Sequence, residues 1–148
     1  MKRSIAVVFF MALGVGCFCQ TALSEIISSP DAPAAIGPYS QAVAAGESLF
    51  VSGQLGMDPS TGELVGDDLA DQARQALSNL VAILNAGGCT LDNVVAVDVF
   101  LTDMQEFVQF NAIYSEFFND HKPARAVVEV SALPKGACVE IKCVAMRP

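Results

Sequence analysis

Two charged residues in the carboxyl-terminal third, Arg125 and Glu140, have side chains suited to chemistry. Arg125 follows Pro123-Ala124 at the start of an apolar segment, and its guanidinium offers two parallel N–H donors that match a carboxylate. Glu140 interrupts an apolar run, where burial would raise its pKa toward the range of a general base. Residue type alone leaves the alternatives open: a surface or ion-pairing arginine, and an exposed strand glutamate beside Lys142.

Three further polar residues could complete such a site. Tyr39 follows a Gly-Pro turn, Ser52 ends an apolar run, and Asn111 lies among the apolar residues of a helix. Gly53, next to Ser52, has no side chain and would let a ligand approach the backbone. Each polar residue alone is more often a hydrogen-bonded structural residue. No Ser-His-Asp order, glycine-rich phosphate loop or paired-carboxylate spacing accompanies them.

Composition excludes several classes of protein. The 148 residues are 53% hydrophobic and 16% charged, which excludes a disordered polar chain and fits one domain. Sixteen acidic and eight basic residues give a net charge of −8, and without a basic run this argues against nucleic acid as a partner. With His121 as the only histidine and no Cys-x-x-Cys pair, no metal site is expected. The cysteines after residue 24 are interpreted as small buried hydrophobes: Cys89, Cys138 and Cys143.

The amino terminus has the pattern of a secretory signal peptide. Lys2-Arg3 precedes an uncharged apolar run of about 14 residues, which is shorter than a membrane span. Small residues, Ala22 and Ser24, fit a cleavage after Ser24. We therefore expect a leader over residues 1–24 and a periplasmic or secreted domain over 25–148, with no membrane contact after cleavage and a net charge of −10. The alternatives are an uncleaved anchor, a lipid on Cys17, or a cytoplasmic protein if the segment is not used for export.

The elements that must position these residues follow the order βββαβαββ. Two helices beside a larger mixed sheet predict a two-layer α+β domain with both helices on one face of the sheet. The other face then lacks a cover, and self-association is the simplest way to bury it. Strands are expected at 25–29, 39–44, 48–54, 94–101, 125–130 and 138–146, with helices at 69–84 and after residue 105.

Local signals mark the ends of these elements. Asp68 precedes the first helix, Gly87-Gly88 ends it, and Gly46 suits a tight hairpin turn. Thr102 and Gln105 have capping-box spacing before the second helix. An aromatic stripe on that helix is interpreted as core rather than as a cofactor site: Phe107, Phe110, Tyr114 and Phe117.

Five segments, in chain order, resemble the RidA/YjgF family of enamine/imine deaminases. The resemblance covers about residues 25–148. Within the family, an arginine at 125 together with a glutamate at 140 resembles the active RidA type. The segments are AAIGPYSQAV at 34–43, LFVSGQ at 49–54, PARAVVEV at 123–130, LPK at 133–135 and VEI at 139–141.

The resemblance implies a homotrimer of chorismate-mutase-like domains with three clefts between subunits. It also implies hydrolysis of 2-iminopropanoate and 2-iminobutanoate to 2-oxo acids and ammonia, without a cofactor. In that role Arg125 would hold the substrate carboxylate, and Glu140 would deprotonate the attacking water. The residues implied to line the cleft are Tyr39, Ser52, Gly53 and Asn111.

Two positions depart from the family pattern, and the leader raises a question of function. Val127 stands where many relatives have a cysteine, and Lys142 stands where they commonly have a second acid, so Lys142 could lower the pKa of Glu140. An exported copy would lack the cytoplasmic supply of imines, which keeps a second hypothesis open: a ligand-binding or holdase-like trimer without turnover. A ribonuclease role fits poorly with a charge of −10.

Overall fold

A six-stranded mixed sheet carries two α-helices on one of its faces in the computed structural model, which describes residues 24–148. The expected order βββαβαββ and the α+β class are confirmed. The expected leader lies almost entirely outside the described residues. None of the described helices is long and apolar enough to cross a membrane. The strands are β1 (Ser24–Ile27), β2 (Ala42–Ala45), β3 (Ser48–Leu55), β4 (Val94–Leu101), β5 (Ala124–Glu129) and β6 (Val139–Met146), and the helices are α1 (Leu69–Ala86) and α2 (Phe107–Phe118).

The strand order across the sheet is β1-β2-β3-β6-β4-β5. All neighbours are antiparallel except β4 and β5, which run parallel because α2 crosses between them. The carboxyl-terminal strand β6 therefore lies between β3 and β4, in the middle of the sheet. This topology puts Glu140 on a central strand and Arg125 on an edge strand.

The core lies between the sheet and the helices. Alternate residues of β6 are buried against the helices, and the leucines and alanines of α1 recur at helical spacing on its inner face. The Arg74–Glu116 ion pair connects α1 to α2 on the outer surface. The largest fully buried apolar side chains include Leu49, Leu77, Leu80, Ile83, Leu84, Leu101, Phe110 and Ile141.

The predicted N-terminal cap is confirmed for α1 and wrong for the segment that precedes α2. Asp68 caps α1 by accepting a hydrogen bond from Asp71 N at 3.0 Å. The expected capping box of Thr102 and Gln105 is wrong. Asp103 instead caps the short turn before α2, and its side chain accepts a hydrogen bond from Gln105 N at 2.8 Å. The Thr102 hydroxyl donates to the Cys138 carbonyl at 3.4 Å. A short 3₁₀ turn (Met104–Glu106) then precedes α2.

The sheet face opposite the helices is left uncovered and is largely apolar. One row of paired residues crosses the strands from Val43 through Phe50 and Val144 to Ala96. Phe50 is 49% exposed, and Val128 on β5 is 45% exposed. Burial of this apolar face by self-association stays a prediction.

Candidate active site

Glu140 lies on the uncovered face of the sheet, directly over Gly53. Neighbouring residues on β6, Val139 and Ile141, are fully buried on the helix side, so the pleat directs Glu140 the other way. Its carboxylate occupies the space that a side chain at position 53 would fill, because a Cβ built on Gly53 would overlap Oε1 of Glu140. The register of β3 against β6 shifts between Val51 and Gln54, which places Gly53 in a bulge beneath the carboxylate.

Tyr39 and Ser52 line the same cavity as Glu140. This cavity measures about 530 Å³. Tyr39 lies in the loop before β2 rather than on a strand as expected, and it is 47% exposed. Ser52 lies inside β3 rather than at its end, and its hydroxyl donates to the Ser40 carbonyl at 2.7 Å. That hydrogen bond fixes the Tyr39 loop to the bulge.

Burial dominates the electrostatics of Glu140. Partial burial raises the pKa of its carboxyl, and the Lys142 ammonium lowers it to a smaller extent. Lys142 lies on the same face, and its Nζ is 3.5 Å from Oδ2 of Asp98, its cross-strand neighbour. The expected effect of Lys142 on Glu140 therefore exists, but it does not reverse the effect of burial.

Arg125 lies on the other face of the sheet, against α2. Its Nη2 donates to Oδ1 of Asn111 at 2.7 Å, and its guanidinium carbon lies 4.5 Å from the centre of the Tyr114 ring. One of the five guanidinium N–H groups bonds Asn111, which leaves the remainder available to a carboxylate. These three residues border a second cavity of about 430 Å³, which His121 and Lys122 also line.

The structure divides the expected site into two halves. Tyr39, Ser52, Gly53 and Glu140 form one half, and Arg125 with Asn111 forms the other. Register explains the division: Val97 on β4 pairs with both Arg125 and Cys143, so Arg125 shares a face with Cys143 and not with Glu140. Within one chain, the arginine and the glutamate cannot contact the same small molecule.

The described residues contain no cluster of three or more His, Cys, Asp or Glu that could hold a metal ion. The three cysteines within residues 24–148 are free, with Cys89 and Cys143 buried and Cys138 partly buried. Burial raises the pKa of the Cys143 thiol to about 12, so this cysteine is present as an inert thiol at neutral pH. The interpretation of these residues as structural hydrophobes agrees with this.

One residue beside Arg125, Tyr114, was not predicted as part of the site. Tyr114 was expected in the core, and it is 9% exposed, yet its ring faces the Arg125 guanidinium. The signal was present, since Asn111 and Tyr114 are three residues apart on a helix and must lie on one face.

Comparisons with known proteins agree with this architecture. The family model described as Endoribonuclease L-PSP matches residues 29–147. The chain is 49% identical over 125 residues to a RutC family protein of Pyrococcus horikoshii, with 84% of this chain and 99% of that protein covered. It is 48% identical over 125 residues to the human 2-iminobutanoate/2-iminopropanoate deaminase, with 84% and 91% covered. The crystal structure of Escherichia coli TdcF with bound serine matches at TM-score 0.80 and 41% identity, covering 84% of this chain and 99% of that one.

These matches span almost all of the described chain and include both strands that carry the charged pair. The relatives carry different names, so the comparisons identify a family and leave the individual activity to the geometry of the site. The chain belongs to the Endoribonuclease L-PSP family, which is also the RidA family.

Proposed function

We propose that the protein hydrolyses small 2-imino acids to 2-oxo acids and ammonia, with 2-iminopropanoate and 2-iminobutanoate as substrates. The observation that carries this proposal is the environment of the Glu140 carboxylate. It lies in a cavity over Gly53, and partial burial raises its pKa. A carboxylate that is partly desolvated and open to a ligand is suited to accept a proton from water. A protein that only binds ligands would need no such base.

The site would be completed by a second copy of the chain. Arg125 and Glu140 face opposite sides of one sheet, while the Glu140 side is apolar and uncovered. If a neighbouring copy covers that face, its Arg125 half can meet the Glu140 half across the interface. The resemblance favours a homotrimer, in which three such contacts close a ring.

The proposed reaction needs two charged groups with different tasks. Arg125 would bind the substrate carboxylate through two parallel N–H donors, which fixes the position of the imine carbon. Glu140 would take a proton from the water that attacks this carbon and pass it to the imine nitrogen, so that a C–O bond replaces one bond of C=N and a neutral carbinolamine forms. The same carboxylate would then take the proton of the carbinolamine hydroxyl and deliver it to nitrogen, so that the C–N bond breaks, ammonia leaves and the C=O bond of the 2-oxo acid forms. No electrons are exchanged in this sequence.

The named relatives support this assignment. The human relative is a 2-iminobutanoate/2-iminopropanoate deaminase, and the crystal structure of TdcF holds serine, a small molecule with a carboxylate. The charge of the chain, −8, also disfavours a polyanionic substrate such as RNA.

The test is direct hydrolysis of an imine formed in the assay. A pyridoxal-phosphate dehydratase acting on serine or threonine supplies the imine, and its decay is followed with and without the purified protein. We expect acceleration by the parent chain and little by Arg125→Ala. Arg125→Lys should recover little, because an ammonium cannot reproduce the two parallel donors. Binding of pyruvate without any acceleration would replace this proposal by the ligand-binding trimer.

A further inference from the structure

The Arg125 guanidinium lies over two rings of a row of three buried aromatic residues on α2, 4.5 Å from the centre of Tyr114 and 5.9 Å from that of Phe110. The aromatic row consists of Phe110, Tyr114 and Phe118, which are spaced four residues apart and so lie along one face of the helix. Tyr114 stacks on Phe118 with ring centres 4.3 Å apart, and it meets Phe110 at 5.8 Å. The ring of Tyr114 is therefore held on both sides by packed neighbours.

Two residues of α2 hold the guanidinium in different ways. Asn111 binds its edge, through the 2.7 Å hydrogen bond from Nη2. Tyr114 contacts it through the face of the aromatic ring, since the guanidinium carbon lies over that ring at 4.5 Å from its centre. This cation–π contact forms no conventional hydrogen bond, so it supports the guanidinium and leaves the N–H donors for a ligand.

The Tyr114 hydroxyl makes no hydrogen bond with the described residues, and its oxygen is buried. Burial raises the pKa of Tyr114 to about 12, so the ring is neutral at working pH. Buried tyrosine hydroxyls usually find a partner, and phenylalanine would fill this position without the cost of an unpaired group. The aromatic face is thus the part of Tyr114 that acts on Arg125.

We propose that Tyr114 is a positioning residue: the face of its ring supports the Arg125 guanidinium so that the free N–H donors are presented to the carboxylate of the ligand. This role rests on the proposed function only in taking the ligand of Arg125 to be a carboxylate. Asn111 holds one N–H group of the guanidinium, and Tyr114 supports the guanidinium through its ring. Ligand affinity then depends on the aromatic face of Tyr114, which acts through Arg125.

The experiment is a thermodynamic cycle with pyruvate as the probe, measured by calorimetry on the purified protein. Tyr114→Phe keeps the ring and should bind pyruvate as the parent does, without loss of thermal stability. Tyr114→Leu removes the ring and should weaken binding about two- to fivefold, the usual range for a cation–π contact of an exposed arginine. In an Arg125→Ala background the same Tyr114→Leu change should have no further effect on binding.

Controls separate positioning from folding. Ile113→Ala truncates a buried residue of the same helix and should lower stability without weakening pyruvate binding. If Tyr114→Leu does not fold, Tyr114→Met fills the space without an aromatic face and replaces it. Equal losses for Tyr114→Phe and Tyr114→Leu would overturn the proposal, and so would a loss that persists in the Arg125→Ala background.

The same titrations distinguish this proposal from the proposed function. A parent chain that binds pyruvate, shows the Tyr114 effect and hydrolyses no imine would retain the positioning role and refute the deaminase. A parent chain that does not bind pyruvate would refute the carboxylate role of Arg125 and, with it, the role of Tyr114.

Discussion

At the scale of single residues, the reactivity of Glu140 depends on three neighbours. Gly53 gives its carboxylate room, burial raises its pKa, and Lys142 partly offsets that rise. A general base works only when ionised, so activity should fall as the pH drops through the pKa of Glu140. Because that pKa lies above the ordinary glutamate value, the fall should come at a higher pH than for an exposed glutamate.

Lys142→Met should move this acid limb to higher pH. The change removes the cation that favours the ionised carboxylate and leaves Asp98 as an unpaired negative charge nearby, and both effects raise the pKa of Glu140. The measurement is the pH profile of kcat/KM for imine hydrolysis. Arg74→Met, which removes a positive charge from the surface of the helix layer, is the control and should leave the profile in place. An unshifted limb in Lys142→Met would mean that another group sets the profile.

Gly53→Ala should lower kcat by about 10²-fold while the domain stays folded, since displacement of a catalytic group by roughly 1 Å costs about this much. The new methyl group would occupy the position of the Glu140 carboxylate, which must swing away. Steady-state kinetics and thermal unfolding of the variant test this. Gly66→Ala is the matched control, because a Cβ there meets only ordinary van der Waals contacts, the nearest at 3.7 Å. Parent kinetics in Gly53→Ala would show that the Glu140 carboxylate need not lie over residue 53.

At the scale of elements, the loop between β1 and β2 places Tyr39 beside Glu140, and one buried side chain holds that loop. Gln41 is 6% exposed, and its Oε1 accepts from Ser29 N at 2.6 Å. Its Nε2 donates to three carbonyls, of which Pro33 is the nearest at 2.7 Å. A loop without regular hydrogen bonds thereby satisfies its buried backbone groups.

Gln41→Leu should destabilise the protein by about 2–3 kcal/mol, because it leaves several buried backbone groups unpaired. It should also raise KM, since Tyr39 then loses its fixed position in the cavity. Urea unfolding gives the first quantity and steady-state kinetics the second. Gln109→Leu, at an exposed position of α2, should change neither. Full stability in Gln41→Leu would show that the loop is held by other contacts.

The elements could be predicted from the sequence, but their register could not. Helical spacing in α1 and β-branched runs in β4 and β6 are local signals, and the order of elements followed from them. The capping box failed because Asp103, one residue after Thr102, is an equally good cap. The separation of Arg125 from Glu140 depends on how β5 and β6 each pair with β4, which is set by long-range packing. Candidate site residues could therefore be proposed from the sequence, but the sequence did not show that Arg125 and Glu140 face opposite sides of the sheet.

At the scale of the whole molecule, the uncovered sheet face and the divided site point to the same arrangement. Apolar residues such as Phe50 and Val128 remain exposed on the side that carries Glu140, and burial by another copy would stabilise the assembly. If the covering copy presents its Arg125 side, the same contact would bring a second Arg125 toward Glu140. Light scattering on the purified protein should then give three times the mass of one chain, and a stable monomer would contradict the assembly.

Subunit complementation tests whether the two halves of a site come from different copies. Arg125→Ala and Glu140→Gln should each be nearly inactive, yet oligomers that contain both variants can join an intact Arg125 from one copy to an intact Glu140 from its neighbour. In a trimer that contains both variants, about one site in three should be restored, since only one of its three neighbouring pairs joins an intact Arg125 to an intact Glu140. The variants are co-expressed with different affinity tags, purified through both tags in turn and assayed for imine hydrolysis.

The double variant Arg125→Ala/Glu140→Gln, co-expressed with either single variant, is the control and should recover nothing, because no neighbouring pair then carries both intact groups. If one chain supplied both residues of its site, the mixed oligomers would be as inactive as either single variant, and the shared site would be wrong.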